Sequence, residues 1–362
     1  YISTVATAIN YFLGTVGVGT TTANFKLGVQ GVAGTDILEV VSSTGVSILR
    51  ITQGGYVGIG TTTPAEKLDV VGNISNITRA NTTISQVATV AVDANPQSVF
   101  VSGKYAYTAN YTSNTISVVD ISNPLIPVQI STTSIGTNPT SIFVSGRYAY
   151  VVNSNSNNIS VVDISNPKTP IEIATVALGG GTGPNSIYVS GRYAYVSKGL
   201  SSEISVVDIS NPKAPIQIAT VTVGAVPKSI YVSGRYAYVA NQNDNSISVV
   251  DISNPLVPIQ IATTSVGSEP QSVFVSGRYA YTANQLSNNI SIVDISNPLA
   301  PTSVATLTVG SSPYSIFVSG RYAYVANNGS DSISVVDISS STAPTQIITK
   351  AVGAQPFSIY DS

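Results

Sequence analysis

Cysteine, histidine, methionine and tryptophan are all absent from this 362-residue chain. Without cysteine or histidine the soft and borderline metal ligands are gone, which excludes zinc, haem and iron–sulfur centres of ordinary composition. The same absences remove Cys–His and Ser–His–Asp nucleophile systems, and with them the side chain most used for proton transfer near neutral pH. No metal and no cofactor is expected. Charge is scarce as well: 15 basic and 17 acidic residues make up 9% of the chain, for a formal net charge of −2. An ordinary soluble domain carries about 25% charged residues, so Ser, Thr and Asn must supply most of the polar surface. No basic block exists to hold nucleic acid. No apolar run reaches the roughly 18 residues that a membrane-spanning helix needs. The chain opens on Tyr1 with neither Met nor a charged-then-apolar leader. That reads as a fragment or as a chain whose signal peptide has been removed, and the composition points to secretion.

What is present is a repeat. The motif VSGRYAY or VSGKYAY occurs six times, with its glycine at Gly103, Gly146, Gly191, Gly234, Gly277 and Gly320. A second motif, SVVDIS or SIVDIS, keeps the same period of about 43 residues, and five of its six copies continue as Asn-Pro-x-x-Pro. One longer spacing comes from a two-residue insertion at Gly179–Gly183. Periods of about 40 to 50 residues mean a solenoid, a propeller or an array of small domains.

Each unit reads as four short strands. In the fourth copy Ser229–Val232 is the first, and Ser233-Gly234 makes a tight turn. Tyr236–Val239 is the second strand, and Ile247–Ile252 follows an Asn-rich loop. Asn254-Pro255 ends the third strand because proline cannot donate to a ladder, and Pro258–Ala262 closes the unit. β-Branched residues dominate and no segment has a 3.6-residue period. Four strands recurring at this interval are the arithmetic of a β-propeller blade; a β-solenoid would need shorter coils. First strands number seven, beginning at Ser98, Ser141, Ser186, Ser229, Ser272, Ser315 and Ser358. Second and third strands number six, and outer strands seven if Ile84–Val90 is included. The predicted fold class is therefore all-β: a propeller over 81–362 with six complete four-stranded blades and an incomplete seventh. An N-terminal β-rich arm precedes it, divided into a strand within 1–15 and a segment over 16–80.

The pattern VSGRYAYVAN…ISVVDISNPxxP resembles the LVIVD-type repeat, and more loosely the YVTN repeat, of bacterial and archaeal cell-surface β-propellers. The resemblance covers about residues 84 to 361 and speaks for fold more than for chemistry, since propellers host enzymes, binding modules and scaffolds alike. In the arm, Val57-Gly58-Ile59-Gly60-Thr61-Thr62-Thr63-Pro64 through Gly72 resembles the VGIGTTxPxxKLDVxG motif of long bacterial surface proteins and phage tail-fibre-like proteins. A diverged copy starts at Val16.

The charged residues fall in step with the repeat. Lys104, Arg147, Arg192, Arg235, Arg278 and Arg321 recur with Asp120, Asp163, Asp208, Asp251, Asp294 and Asp337. A catalytic site needs asymmetry, so twelve residues placed identically in six units read as structural Arg–carboxylate staples of the blades. The alternating Tyr pairs, such as Tyr236 and Tyr238, suit packing between blades. Glycine runs at 57–60 and 179–183 lack the Lys-Ser/Thr of a phosphate loop. Sequons stand at Asn73, Asn76, Asn81, Asn110, Asn158, Asn289 and Asn328 and permit glycosylation. Carboxylates outside the repeated ring are few and none adjoin, so no enzymatic activity is expected.

Two functions remain: an extracellular structural protein, or a surface adhesin that presents a propeller face to a glycan or protein. The strand count favours the first. A half-built blade is a template for added strands, and Ile2-Ser3-Thr4-Val5-Ala6-Thr7-Ala8 reads almost like Ile84-Ser85-Gln86-Val87-Ala88-Thr89-Val90. Ile2, Val5, Thr7 and Ile9 form the candidate assembly strand. The expected partner is a second copy, added head to tail into a homopolymeric filament, with surface glycans as the alternative partner.

Overall fold

A computed structural model of the chain describes residues 16–18, 27–29, 36–41, 47–70, 84–179 and 183–360. The chain divides into two compact units, Tyr1–Ala80 and Asn81–Ser362. In the first, Leu38–Val41, Ser47–Ile51, Val57–Ile59 and Leu68–Val70 form a four-stranded sheet in chain order. Its last pair is parallel, Val57 opposite Leu68. Arg50 Nε donates to Asp36 Oδ2 at 2.5 Å across the mouth of the hairpin. Val16–Val18 pairs in parallel with Leu27–Val29. The candidate assembly strand, Ile2 to Ile9, lies outside the described residues.

The second unit contains six four-stranded antiparallel sheets, each in simple chain order. In blade 4 the strands are Pro227–Ser233, Tyr236–Asn241, Ser246–Asp251 and Ile259–Ser265, from the inside outward. Gly234 takes φ +59° in the two-residue turn between the first two strands, the positive value that tight hairpins need at this position. Every third-to-outer strand pair carries a bulge at the same place, between Val249 and Val250 in blade 4. A bulge sharpens local twist, which the outer edge of a blade requires.

The hydrophobic core is divided among the blade interfaces. Between blades 1 and 2, Tyr107, Ala109, Ile116 and Val118 pack against Ile142, Val144, Ala149, Val151, Val162 and Ile164. The same positions meet between each later pair. Second and third strands are therefore apolar on both faces, which is why they read as continuous runs and not as alternations.

The inner strands close a ring of seven. Phe100, Phe143, Tyr188, Tyr231, Phe274, Phe317 and Tyr360 stack in a circle with centroids 4.6 to 5.2 Å apart. One register step earlier, six of the seven inner-strand serines, all but Ser186, accept the backbone N–H of the next blade. Ile142 N donates to Ser98 Oγ at 3.3 Å and Val273 N to Ser229 Oγ at 3.2 Å. Ile359 N donates to Ser315 Oγ at 3.3 Å and Val99 N to Ser358 Oγ at 3.4 Å, so residues 358–360 stand as the innermost segment of a seventh position. The architecture is a β-propeller with six complete blades and an incomplete seventh.

One blade departs from its siblings internally. In five blades the last residue of the second strand is a fully buried Asn whose Nδ2 donates to the residues five and seven places on; in blade 2, Asn153 reaches Asn158 Oδ1 and Ser160 Oγ, each at 2.8 Å. Blade 3 has Lys198 there, 0% exposed, with Nζ 2.8 Å from Glu203 Oε2 and 2.7 Å from the Gly179 carbonyl. An ammonium and a carboxylate thus replace two amides at the same two positions. Lys198→Ala is expected to cost about 2 kcal/mol, because Glu203 loses its counter-charge in a half-buried place. The pair K198N/E203N, which installs the blade 2 arrangement, should recover most of that loss. Urea midpoints of the two variants check this.

Candidate functional site

The antiparallel order sends the Ser-Gly-Arg turns and the Asn-Pro-x-x-Pro connections to one end of every blade. The Asn-rich loops and the Gly-x-x-Pro connections go to the other. The two ends differ in what they repeat.

At the turn end the charged residues recur with nearly fixed geometry. Arg147 pairs with Asp163 at 2.6 Å, Arg192 with Asp208 at 2.9 Å, Arg235 with Asp251 at 2.6 Å, and Arg321 with Asp337 at 2.5 Å; Arg278 and Asp294 pair likewise. Each pair lies within one blade and ties the hairpin turn to the end of the third strand. Each guanidinium also covers the ring of the tyrosine that follows it, 5.1 to 5.3 Å from the centroid. In blade 1, Lys104 lies 5.5 Å from the Tyr105 ring, and Asp120 accepts from Ser122 N at 2.9 Å. No ion pair joins Lys104 to Asp120 among the described residues. The arginines are more than half exposed, so these pairs order the surface of single blades; what joins blade to blade is the apolar packing between sheets together with the serine and aromatic ring.

The sequons are less open than the sequence suggests. Asn110 is 0% exposed and its Nδ2 donates to Thr115 Oγ1 and Ser117 Oγ. The Nδ2 of Asn328 is also buried. Neither nitrogen can carry an oligosaccharide in the folded protein. Asn158 and Asn289 are half-buried and use their side-chain oxygens as acceptors, and Asn73, Asn76 and Asn81 lie outside the described residues. The Asn-rich loops are likewise committed internally: Asp244 Oδ2 accepts Ala225 N at 2.7 Å, and Ser287 and Ser330 bind the equivalent nitrogens in blades 5 and 6.

Asymmetry appears at the loop end, on the axis. Every inner strand begins Pro-x-Ser, and x differs: Gln97, Thr140, Asn185, Lys228, Gln271, Tyr314 and Phe357. These residues and the seven serines line an axial cavity of about 150 Å³. An accepting serine hydroxyl keeps its own O–H as a donor, so the wall is rich in hydrogen-bond donors. Tyr314 and Phe357 form an edge-to-face pair, centroids 5.1 Å apart, on one side; burial raises the Tyr314 phenol above its usual range. Lys228 is the one cation of the ring. Burial pulls its ammonium below the ordinary lysine range, and the carboxylate of Glu269 acts on it through space in the opposite direction. Glu269, two residues before Gln271 of the ring, is in the left-handed region, φ +54°, with its N–H held by Asn245 Oδ1 at 2.8 Å and Gln242 Nε2 3.5 Å from its Oε2. Val226, two residues before Lys228, is also left-handed at φ +54°, a conformation costly for a β-branched residue.

Sequence reasoning passed over this ring and dwelt instead on the repeated charges and the sequons. The clue was there: in a frame of near-identical repeats, the residue between Pro and Ser is the one inner-strand position that changes character in almost every copy.

A ring of seven inner segments around a polar axial site defines a propeller of seven positions. The chain belongs to the lactonase family of seven-bladed β-propellers, which matches residues 70–301; an LVIVD repeat is matched over 312–349. No curated protein matches the chain in sequence. Among solved structures it is similar to a candidate 6-phosphogluconolactonase of Bacteroides fragilis, with 18% identity, TM-score 0.67, and coverage of 75% of this chain and 88% of that one. It is similar to the periplasmic gluconolactonase of Pseudomonas aeruginosa, with 16% identity, TM-score 0.66, and coverage of 89% and 94%. Hydrazine synthase of Kuenenia stuttgartiensis shares the fold at 19% identity and TM-score 0.61, covering 76% and 92%. The expectation that the chain is no enzyme is corrected by its family. The absence of His and Cys does not exclude opening a lactone, because attack of water on a strained ester needs only a carboxylate base and a cation or donor for the oxyanion. No helix among the described residues is long and apolar enough to cross a membrane.

The paired aspartates give a pH expectation. Hydrogen bonds from Arg235, then from Ser253, hold Asp251 down at about 2, against an ordinary 3.8; Asp163 and Asp294 are held at about 2 by the same arrangement. A carboxyl depressed on folding contributes stability above its unfolded value and loses it as pH falls through the folded one. Urea midpoints should therefore drop between pH 4 and pH 2, and Asp251→Asn should lose less across that window than the parent protein.

Proposed function

We propose that the propeller hydrolyses a small lactone at the loop end of its axial channel. The observation that carries this reading is Lys228: a half-buried ammonium in a ring otherwise of neutral side chains, on which the Glu269 carboxylate acts through space, in a chain of the lactonase family. Glu269 takes a proton from water, whose oxygen adds to the lactone carbonyl. Lys228 and the serine O–H donors hold the resulting oxyanion. The ring C–O bond then breaks, the leaving oxygen receives the proton from Glu269, and a hydroxy acid departs. Each such donor to an oxyanion is worth about 100- to 1,000-fold in rate. With glucono-δ-lactone as probe, acid release above the spontaneous rate is expected, and Lys228→Gln should lower kcat/KM about 100-fold with an unchanged circular dichroism spectrum. Activity unaffected by Lys228→Gln would move the site elsewhere.

A second reading rests on a different observation, the incomplete seventh blade. Residues 1–80 of one copy complete or extend the β-structure of a neighbour, giving an extracellular, surface-attached filament with the hydrolytic module on each subunit. The near-repeat of Ile84–Val90 at Ile2–Ala8 and the surface-protein resemblance of the VGIGTTTP segment support it. Deleting residues 1–13 should convert filaments seen in negative stain into monodisperse particles; filaments that persist unchanged would exclude this arm as the donor.

A further inference from the structure

The seventh position has an inner segment, 354–360, and an outer one, 84–92, and neither lies in a sheet ladder. Between them is a cavity of about 790 Å³, bordered by Val90, Val92, Val352 and Phe357 and floored by the side of blade 1. Not one of its lining side chains is charged.

The complete interfaces show what such a floor is built to meet. On blade 2, Ile142, Val144 and Ala149 are 3%, 6% and 0% exposed beneath Tyr107, Ala109, Ile116 and Val118 of the second and third strands of blade 1. The equivalent floor on blade 1, Val99, Val101 and Ala106, is only half-buried. The far wall shows the same deficit: Tyr324 and Ile333 of blade 6 are half-buried where Tyr281 and Ile290 of blade 5 are 3% and 0% exposed. Both deficits fall where second and third strands would lie, while the ring of seven inner segments is already closed by Ser358 and Tyr360. The place is therefore two strands wide and apolar on both sides, with unpaired backbone at both edges, which is the geometry of strand addition.

We propose that this cavity is a receptor for a two-stranded antiparallel β-hairpin of another polypeptide. One strand presents an aromatic and a small residue two apart to blade 1, and the other presents two aliphatic residues two apart. Both opposite faces are aliphatic, and charge is confined to the ends. A single strand leaves half of the floor exposed, and a charged strand meets no counter-charge. The receptor requires no hydrolysis at the channel, but it is the same incomplete seventh position that the filament reading invokes, and here a hairpin, not residues 1–13, fills it.

The chain itself contains hairpins of this chemistry, and one of them makes the probe. A synthetic peptide with the sequence of Tyr236–Ile252, added to the full-length protein, should bind at one site per chain by calorimetry and raise the melting temperature. Replacing Tyr238 and Ile247 in the peptide by Asp should weaken binding by at least about tenfold. Ala106→Trp, which fills the half-open floor, should do the same to the protein, and Val99→Thr, a milder change there, should give a smaller loss in the same direction. Absence of binding, or binding that neither Ala106→Trp nor the Asp peptide weakens, would overturn the receptor. Preferential binding of a peptide of residues 1–13 at the same site would overturn it too, in favour of a single-strand acceptor.

Discussion

The closed inner ring is the constraint on which the rest of the molecule depends. Every inner strand lays an aromatic ring against the next, and six of the seven give a serine oxygen to the backbone N–H of their neighbour. Individually these are modest interactions, about 1 kcal/mol each for a neutral hydrogen bond or an aromatic pair. Their effect is geometric. Seven nearly equal spacings of 4.6 to 5.2 Å set the number of positions around the axis, and blades of one sequence then pack in one way. The seventh position is held by residues 358–360 alone, so closure does not need a complete seventh sheet.

From that closure the division of labour between the two ends follows. At the turn end every arginine meets the same aspartate and the same tyrosine, and repetition leaves no room for a unique chemistry. At the loop end the inner strands converge, so seven different residues are brought within one small cavity. A single lysine among them is the one charge in the ring, drawn down by burial and opposed through space by the Glu269 carboxylate. The residue before the inner-strand proline is left-handed at all seven positions, from Asn95 to Gln355, so this backbone belongs to the repeat, and blade 4 differs only in placing a β-branched Val226 there.

Lys198 illustrates how a repeat tolerates an exception. The buried amide that closes five blades gives way to an ammonium, and the position five residues on changes in concert to Glu203. The bond to the position five residues on is kept, but the one to the position seven residues on is not: the ammonium turns to the Gly179 carbonyl and leaves Ser205 Oγ buried without a hydrogen bond among the described residues.

The sequence by itself determined the strands, their fourfold grouping, the six complete blades and the seventh inner segment. These rest on local chemistry: β-branched runs, Gly at a positive-φ turn, Pro at strand ends, and a period that only like units stacked side by side can satisfy. It also revealed which residues recur, though not that Arg235 would turn to an aspartate of its own blade or that Asn110 would be sealed by Thr115 and Ser117. The channel site belonged to the tertiary structure alone. Gln97 and Phe357 are 260 residues apart in the chain and neighbours in the cavity, and no local pattern encodes a distance that ring closure creates. The width of the cavity beside blade 1 was likewise decided by packing, because a missing pair of strands becomes a receptor only when the walls on either side stay standing.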